Sequence, residues 1–186
     1  MRTLLVFLFT LTPILLFAQY KSGFYVTNTN DTVKCAILMS PDFWGKGLDY
    51  RSLHARLTVE IDGVKKKFKA HEIQSFEIYD GNAAGSDKIL VKYASMALDK
   101  KLFVRVLNEG EMSLYHVYSY HPYDKSYWPI EYIIKDGVTH KIIPISYKKI
   151  IDRLISDNPT VYEKWKSGSY KNASTSDIVA DYNASL

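Results

Sequence analysis

Hydrophobic and polar residues alternate along most of the chain, and the clearest alternation runs through 101–120, KLFVRVLNEGEMSLYHVYSY. Two strand-like runs flank Asn108, Glu109 and Gly110, which predicts a β-hairpin closed by a positive φ at Gly110. A three-residue loop sets Val106 opposite Met112, Val104 opposite Leu114 and Leu102 opposite His116, all on one nearly apolar face. The other face takes Arg105 with Ser113, Phe103 with Tyr115 and Lys101 with Val117, as expected of an antiparallel sheet packed on one side.

The same reading extends in both directions. Residues 24–40 give two short strands separated by Asn28, Asn30 and Asp31, side chains that favour turns. The stretch 41–50, PDFWGKGLDY, reads as an irregular loop with Phe43 or Trp44 folded back on the core. Leu53, Ala55, Leu57, Val59 and Ile61 then alternate with polar partners up to Asp62-Gly63, a two-residue turn that sets Ile61 by Val64, Glu60 by Lys65 and Leu57 by Phe68. After a connector at 70–73 come a strand at 75–80, a tip at 81–87 and a strand at 88–94, and Asp136-Gly137 repeats the strand–turn–strand pattern. The expected fold is α+β and mainly β, an antiparallel meander of seven to nine strands curled into a roll or partial barrel.

At Ser146 the period changes from two to that of a helix. Ile150, Ile151, Leu154 and Ile155 share one helical face, with Ser146 as N-cap. Asn158 and Pro159 start a second helix that ends near Gly168, and Ser174 with Asp177 forms a capping box for a third. A segment of that length makes a poor core alone, so 146–186 is expected to be a helical cap on a single β-rich domain spanning 19–186.

Residues 1–18 stand apart. Arg2 precedes the apolar run from Leu4 to Leu11, then come Pro13 and ILLFA, and the chain turns polar at Gln19, which predicts a secretory signal peptide cut after Ala18. Leu16 stands where a small residue is usual, so cleavage after Gln19 and retention as an anchor stay open. No later segment is long and apolar enough for a transmembrane span. The expected location is exported: periplasmic, associated with the outer envelope, or secreted. The one cysteine, Cys35, alternates with Val33, Ile37 and Met39 and reads as a small buried strand residue rather than a reactive thiol. With 24 basic and 20 acidic residues interspersed, charge gives no reason to expect a nucleic-acid partner, and the run Lys65, Lys66, Lys67 and Lys69 reads as a solvated face.

Catalytic patterns are sparse. His54, His71, His116, His121 and His140 are scattered over separate strands and loops, and His71-Glu72 is followed by Ser75 where a zinc-protease helix needs its second histidine. His116, His121 and Asp124 meet only if a strand end curls back. There is no G-x-S-x-G elbow and no phosphate loop, so no catalytic, metal or cofactor residue is assigned. The suggestive feature is aromatic: Tyr118, Tyr120, Tyr123, Tyr127 and Trp128 crowd the end of the central hairpin and the loop after it. Rings at a sheet edge stack on sugars or clasp a peptide, although with 15 tyrosines in the chain many must simply cover half-buried sheet.

A leader ending in FAQ, a Gly-Phe-Tyr-Val opening, Leu107, Gly110, Leu114 and Tyr115 in the central hairpin, and a tail with Tyr182-Asn183 together resemble a group of small exported bacterial proteins of unknown function. The resemblance implies export, a β-rich domain and C-terminal helices, and it brings no catalytic residues. The expectation is a non-catalytic binding or structural domain of the cell envelope whose partner is a glycan, a peptide or an envelope protein. The alternative is an exported hydrolase.

Overall fold

The structure is a computed structural model and describes residues 19–40, 49–79, 89–98, 101–121, 123 and 126–186. Residues 1–18, the stretch 41–48 with Phe43 and Trp44, the expected tip at 81–87 and Asp124 lie outside the described residues. Ten antiparallel strands form one sheet that does not close, followed by three helices. Strands β1 (Gln19–Thr27) and β2 (Thr32–Met39) form the first hairpin, and β3 (Leu57–Ile61) and β4 (Val64–Phe68) the second. Then β5 (Ile73–Tyr79) returns to pair with β1, and the sheet continues outward through β6 (Ile89–Ala97), β7 (Lys101–Asn108), β8 (Met112–His121), β9 (Ser126–Lys135) and β10 (Val138–Ile142). The meander is therefore broken once, at the return from β4 to β5.

Both Asp-Gly turns form as their chemistry requires. Asp62 and Gly63 have φ of 50° and 77°, Asp136 and Gly137 have 52° and 71°, and the predicted pairs Ile61–Val64, Glu60–Lys65 and Leu57–Phe68 are all present. At the outer edge, β4 turns Lys65, Lys66 and Lys67 to solvent, charges that discourage another strand from adding there. Cys35 is half-buried against the first core, and burial pushes its thiol pKa up to about 11, so it is not a ready nucleophile near neutral pH.

The central hairpin corrects the predicted register. Arg105 pairs with His116, Val106 with Tyr115 and Asn108 with Leu114, with a bulge at Leu107. The face shared with Leu114 thus carries Phe103 and Arg105, not Leu102, Val104 and Val106. Phe103 is fully buried in the first core and Leu107 packs on the second, so the bulge brings the one aromatic ring of β7 into the core. Val104 is buried on the reverse face.

Two cores lie on that one face. The first is formed by β1–β7 and includes Ile37, Leu57, Phe76, Tyr93 and Phe103; Phe76 stacks on Tyr93 at 4.8 Å and meets Phe103 edge-on at 5.0 Å. The second lies between β8–β10 and the helices α1 (Tyr147–Leu154), α2 (Pro159–Lys166) and α3 (Thr175–Ala184), and includes Met112, Leu114, Ile133, Ile151, Val179 and Tyr182. The Asn158 side chain caps α2 by accepting from the Val161 N–H, and Ser174 and Asp177 form the predicted capping box of α3. Ser146 is no side-chain cap. A 3-10 turn at Pro144–Ser146 runs straight into α1 and keeps Ser146 in a helical conformation.

The cap is fastened by polar side chains. Asn183 accepts from the Met112 N–H at 3.0 Å and donates to the Met112 carbonyl at 2.7 Å, so one amide pairs with β8 as a neighbouring strand would. Lys135, 6 % exposed, donates to the last carbonyl of α1, Leu154, and to Asp157, both at 2.6 Å.

Candidate functional site

The strand register divides the predicted aromatics, with Tyr118, Tyr120 and Tyr127 at positions of one face and Trp128 on the other. Tyr118 is half-buried on β8 and pairs with Pro129, while Trp128 pairs with Ser119 and so stands on the opposite face, 60 % exposed. Tyr120 pairs with Tyr127 along the same ladder, and Tyr123 is 92 % exposed beyond the strand end. The pleat divides this group between two faces.

Tyr118 belongs instead to a polar seam between the cores. β7 pairs with β6 from Lys101 to Val106 but with β8 only between Arg105 and Asn108, so the sheet parts beyond Arg105. A 3-10 turn at Tyr50–His54 fills the opening. There the buried His54 ring donates from Nδ1 to the Phe103 carbonyl and accepts at Nε2 from the Tyr118 N–H at 3.0 Å. One imidazole thus replaces a missing rung of the ladder and fixes its own tautomer. Next to it a cross-strand row runs from Tyr93 through Arg105 and His116 to Glu131. The Arg105 guanidinium lies 3.4 Å from the Tyr118 hydroxyl, His116 Nε2 lies 3.4 Å from Glu131 Oε1, and Thr175 of α3 donates to Glu131 Oε2 at 2.6 Å. The His116 bond, with Thr175 in support, holds the Glu131 pKa below the usual carboxylate value against the opposing effect of burial.

This seam is spent on structure. Both nitrogens of His54 serve the backbone, and the oxygens of Glu131 take bonds from His116 and Thr175, which tie β8, β9 and α3 together. Among the described residues no three His, Cys, Asp or Glu side chains converge to hold a metal.

The His54 bridge predicts a pH dependence. Burial lowers the His54 pKa, partly offset by the bond to Phe103, and His116 adds to the lowering. The unfolded chain therefore takes up a proton near pH 6.5 that the folded chain resists. The stability this supplies is complete above about pH 6.5 and is lost as pH falls from there toward the lowered folded value. His140 shifts in the same direction, through burial and Arg153. His54→Gln, whose amide offers one donor and one acceptor without titrating, isolates the first contribution. Thermal melts should show a smaller loss between neutral and mildly acidic pH in His54→Gln than in the parent; equal losses would mean His54 is not the titrating bridge. His54→Leu should cost about 2–4 kcal/mol at neutral pH by stranding two buried backbone groups.

An open site lies elsewhere, in the helical cap. A groove of about 670 Å³, large enough for a ligand of several rings, runs between α1, α2 and the segment after α2. Tyr147, Trp165 and Tyr170 give it aromatic walls, and Lys148, Lys149, Lys166 and Lys171 surround them, with Asp152 as the one acidic residue in the lining. Tyr147 meets Trp165 edge to face at 6.2 Å. Carboxylates hold the walls: Asp152 accepts from Trp165 Nε1 at 3.2 Å and pairs with Lys166 at 2.5 Å, and Asp181 accepts from the Tyr170 hydroxyl at 2.7 Å. Burial, with Asp181 beside it, pushes the Tyr170 pKa up, so that hydroxyl stays protonated and fixed.

Asp152 thus neutralises Lys166, while Lys148, Lys149 and Lys171 are exposed and make no ion pair among the described residues. The groove presents rigid rings and three uncompensated cations. Its sequence signal is the aromatic–lysine doublet at Tyr147-Lys148, Trp165-Lys166 and Tyr170-Lys171, which is three of the five such doublets in the chain, the others being Tyr20-Lys21 and Phe68-Lys69. No family model, curated protein or solved structure matches the chain.

Proposed function

We propose that the protein is an exported, non-catalytic binding domain of the cell envelope whose ligand seat is the groove between α1 and α2. The observation that carries this reading is the convergence of three aromatic–lysine doublets, one from the start of α1 and two from the end of α2 and the turn after it, in one groove. Lysines attract an anion as point charges, and rings of Trp and Tyr take the apolar face of a sugar or a similar ring. The ligand is therefore an anionic molecule with such a face. Two of the ring walls are fixed by hydrogen bonds to Asp152 and Asp181 before any ligand arrives, which limits the entropy lost on binding.

Titration with a sulfated or uronate oligosaccharide, followed by Trp165 fluorescence against a Trp165→Phe control, tests the reading. Binding should saturate, weaken at high salt, and fall about tenfold or more in a Lys148→Glu, Lys171→Glu double variant. A neutral oligosaccharide binding as well as the anionic one, with no salt dependence, would overturn it.

A further inference from the structure

Just before the groove the chain exposes three consecutive apolar residues, Ile143, Pro144 and Ile145, where a folded surface normally intersperses polar ones. Ile143 is 41 % exposed and Ile145 93 %. The 3-10 turn that carries Ile145 runs unbroken into α1, so Lys148 and Lys149, three and four residues on, rise from the same side of the helical path. Asp152, seven residues on, completes that side, and all three later residues line the groove. An aliphatic tip therefore stands beside unpaired lysines, with Tyr147 and Trp165 next to them.

We propose that this face docks on the surface of an anionic lipid bilayer. Ile145 enters the boundary of the acyl region, Lys148, Lys149 and Lys171 meet lipid phosphates, and Trp165 and Tyr147 sit at headgroup depth. Each residue type matches the layer it would occupy: aliphatic in the acyl boundary, aromatic at the interface and lysine at the negative surface. Charge complementarity selects this occupant, since a purely apolar partner would leave the three lysines unanswered and a soluble anion would leave Ile145 in water. Among the described residues no helix is long and apolar enough to cross a membrane, so the contact is peripheral. The proposal rests on the reading of the groove as an anion site and names the source of the anion as a lipid headgroup.

Co-sedimentation of the protein with vesicles tests it, comparing pure phosphatidylcholine with the same lipid containing roughly a third phosphatidylglycerol. The protein should bind the anionic vesicles, release at high salt, and leave the neutral ones alone. Ile145→Ser should weaken vesicle binding about tenfold while leaving titration by the soluble anionic oligosaccharide unchanged, since it removes the apolar tip without adding charge beside the lysines. Because the Ile145 side chain stands in solvent, the variant should fold as the parent does. Lys148→Glu with Lys149→Glu should weaken both readouts. Absence of binding to the anionic vesicles, or Ile145→Ser binding them as the parent does, would overturn the lipid proposal even with oligosaccharide binding intact. Loss of oligosaccharide binding by the parent would instead remove the anion reading of the groove.

Discussion

Gly110→Val should lower stability by about 3–5 kcal/mol, which for a domain of this size is a fall in Tm of roughly 6–20 °C. Two effects combine. Gly110 has φ +154°, a conformation that a β-branched residue adopts only under strain, and a Cβ there would lie 2.6 Å from the Asn183 side chain. Asn183 is the amide that pairs with Met112, so the clash also displaces the contact joining α3 to the hairpin. Gly63→Ala is the control, because Gly63 has φ +77° and a Cβ added there would meet nothing within 4 Å, so this variant should show only the conformational cost of about 1–2 kcal/mol. Equal melting of the two variants would mean that α3 does not depend on the hairpin turn.

Phe103→Ala should cost about 3–5 kcal/mol, since the ring is fully buried and packs edge-on against Phe76. Val106→Ala, half-buried on the reverse face, should cost about 1 kcal/mol. Chemical denaturation of the two variants decides the register. A large cost at Val106 with a small one at Phe103 would restore the pairing that simple alternation suggests and would contradict the bulge at Leu107.

These two positions show where the sequence can be read and where it cannot. Asp62-Gly63 and Asp136-Gly137 were legible to the very pair because a two-residue turn with both φ positive is decided by the residues in it. Asn158 and Ser174 were legible as caps for the same local reason, whereas Ser146 was not, because the 3-10 turn ahead of it already supplies the helical path. The central hairpin failed on a non-local term. Its bulge is set by what Phe103 and Leu107 bury and by Asn183, more than 70 residues away, bonding the backbone at Met112. Alternation within β7 carries none of that information. Gly110 and Asn183 both belong to the stretches that carry the resemblance, and a Cβ on Gly110 would stand 2.6 Å from the Asn183 side chain.

The site was less legible than the fold. The cluster from Tyr118 to Trp128 is dense in sequence, yet the pleat sends Trp128 to the face opposite Tyr118, while the aromatic residues of the groove are sparse in sequence and meet only because α1 and α2 pack together. The repeated aromatic–lysine doublet was visible in the chain, but its meaning depends on helix pairing that no local pattern encodes. His54 likewise gave no signal, since its role is to bridge two strands whose separation is itself a tertiary feature.

Backbone amide shifts, recorded by NMR while the anionic oligosaccharide is added, distinguish the groove from every other basic surface, because every lysine cluster is observed at once. Saturable shifts confined to Tyr147, Lys148, Lys149, Trp165, Lys166, Tyr170, Lys171 and their immediate neighbours are expected if the groove is the ligand seat. Shifts centred on Lys65, Lys66 and Lys67 of the edge strand, with the groove unmoved, would contradict it.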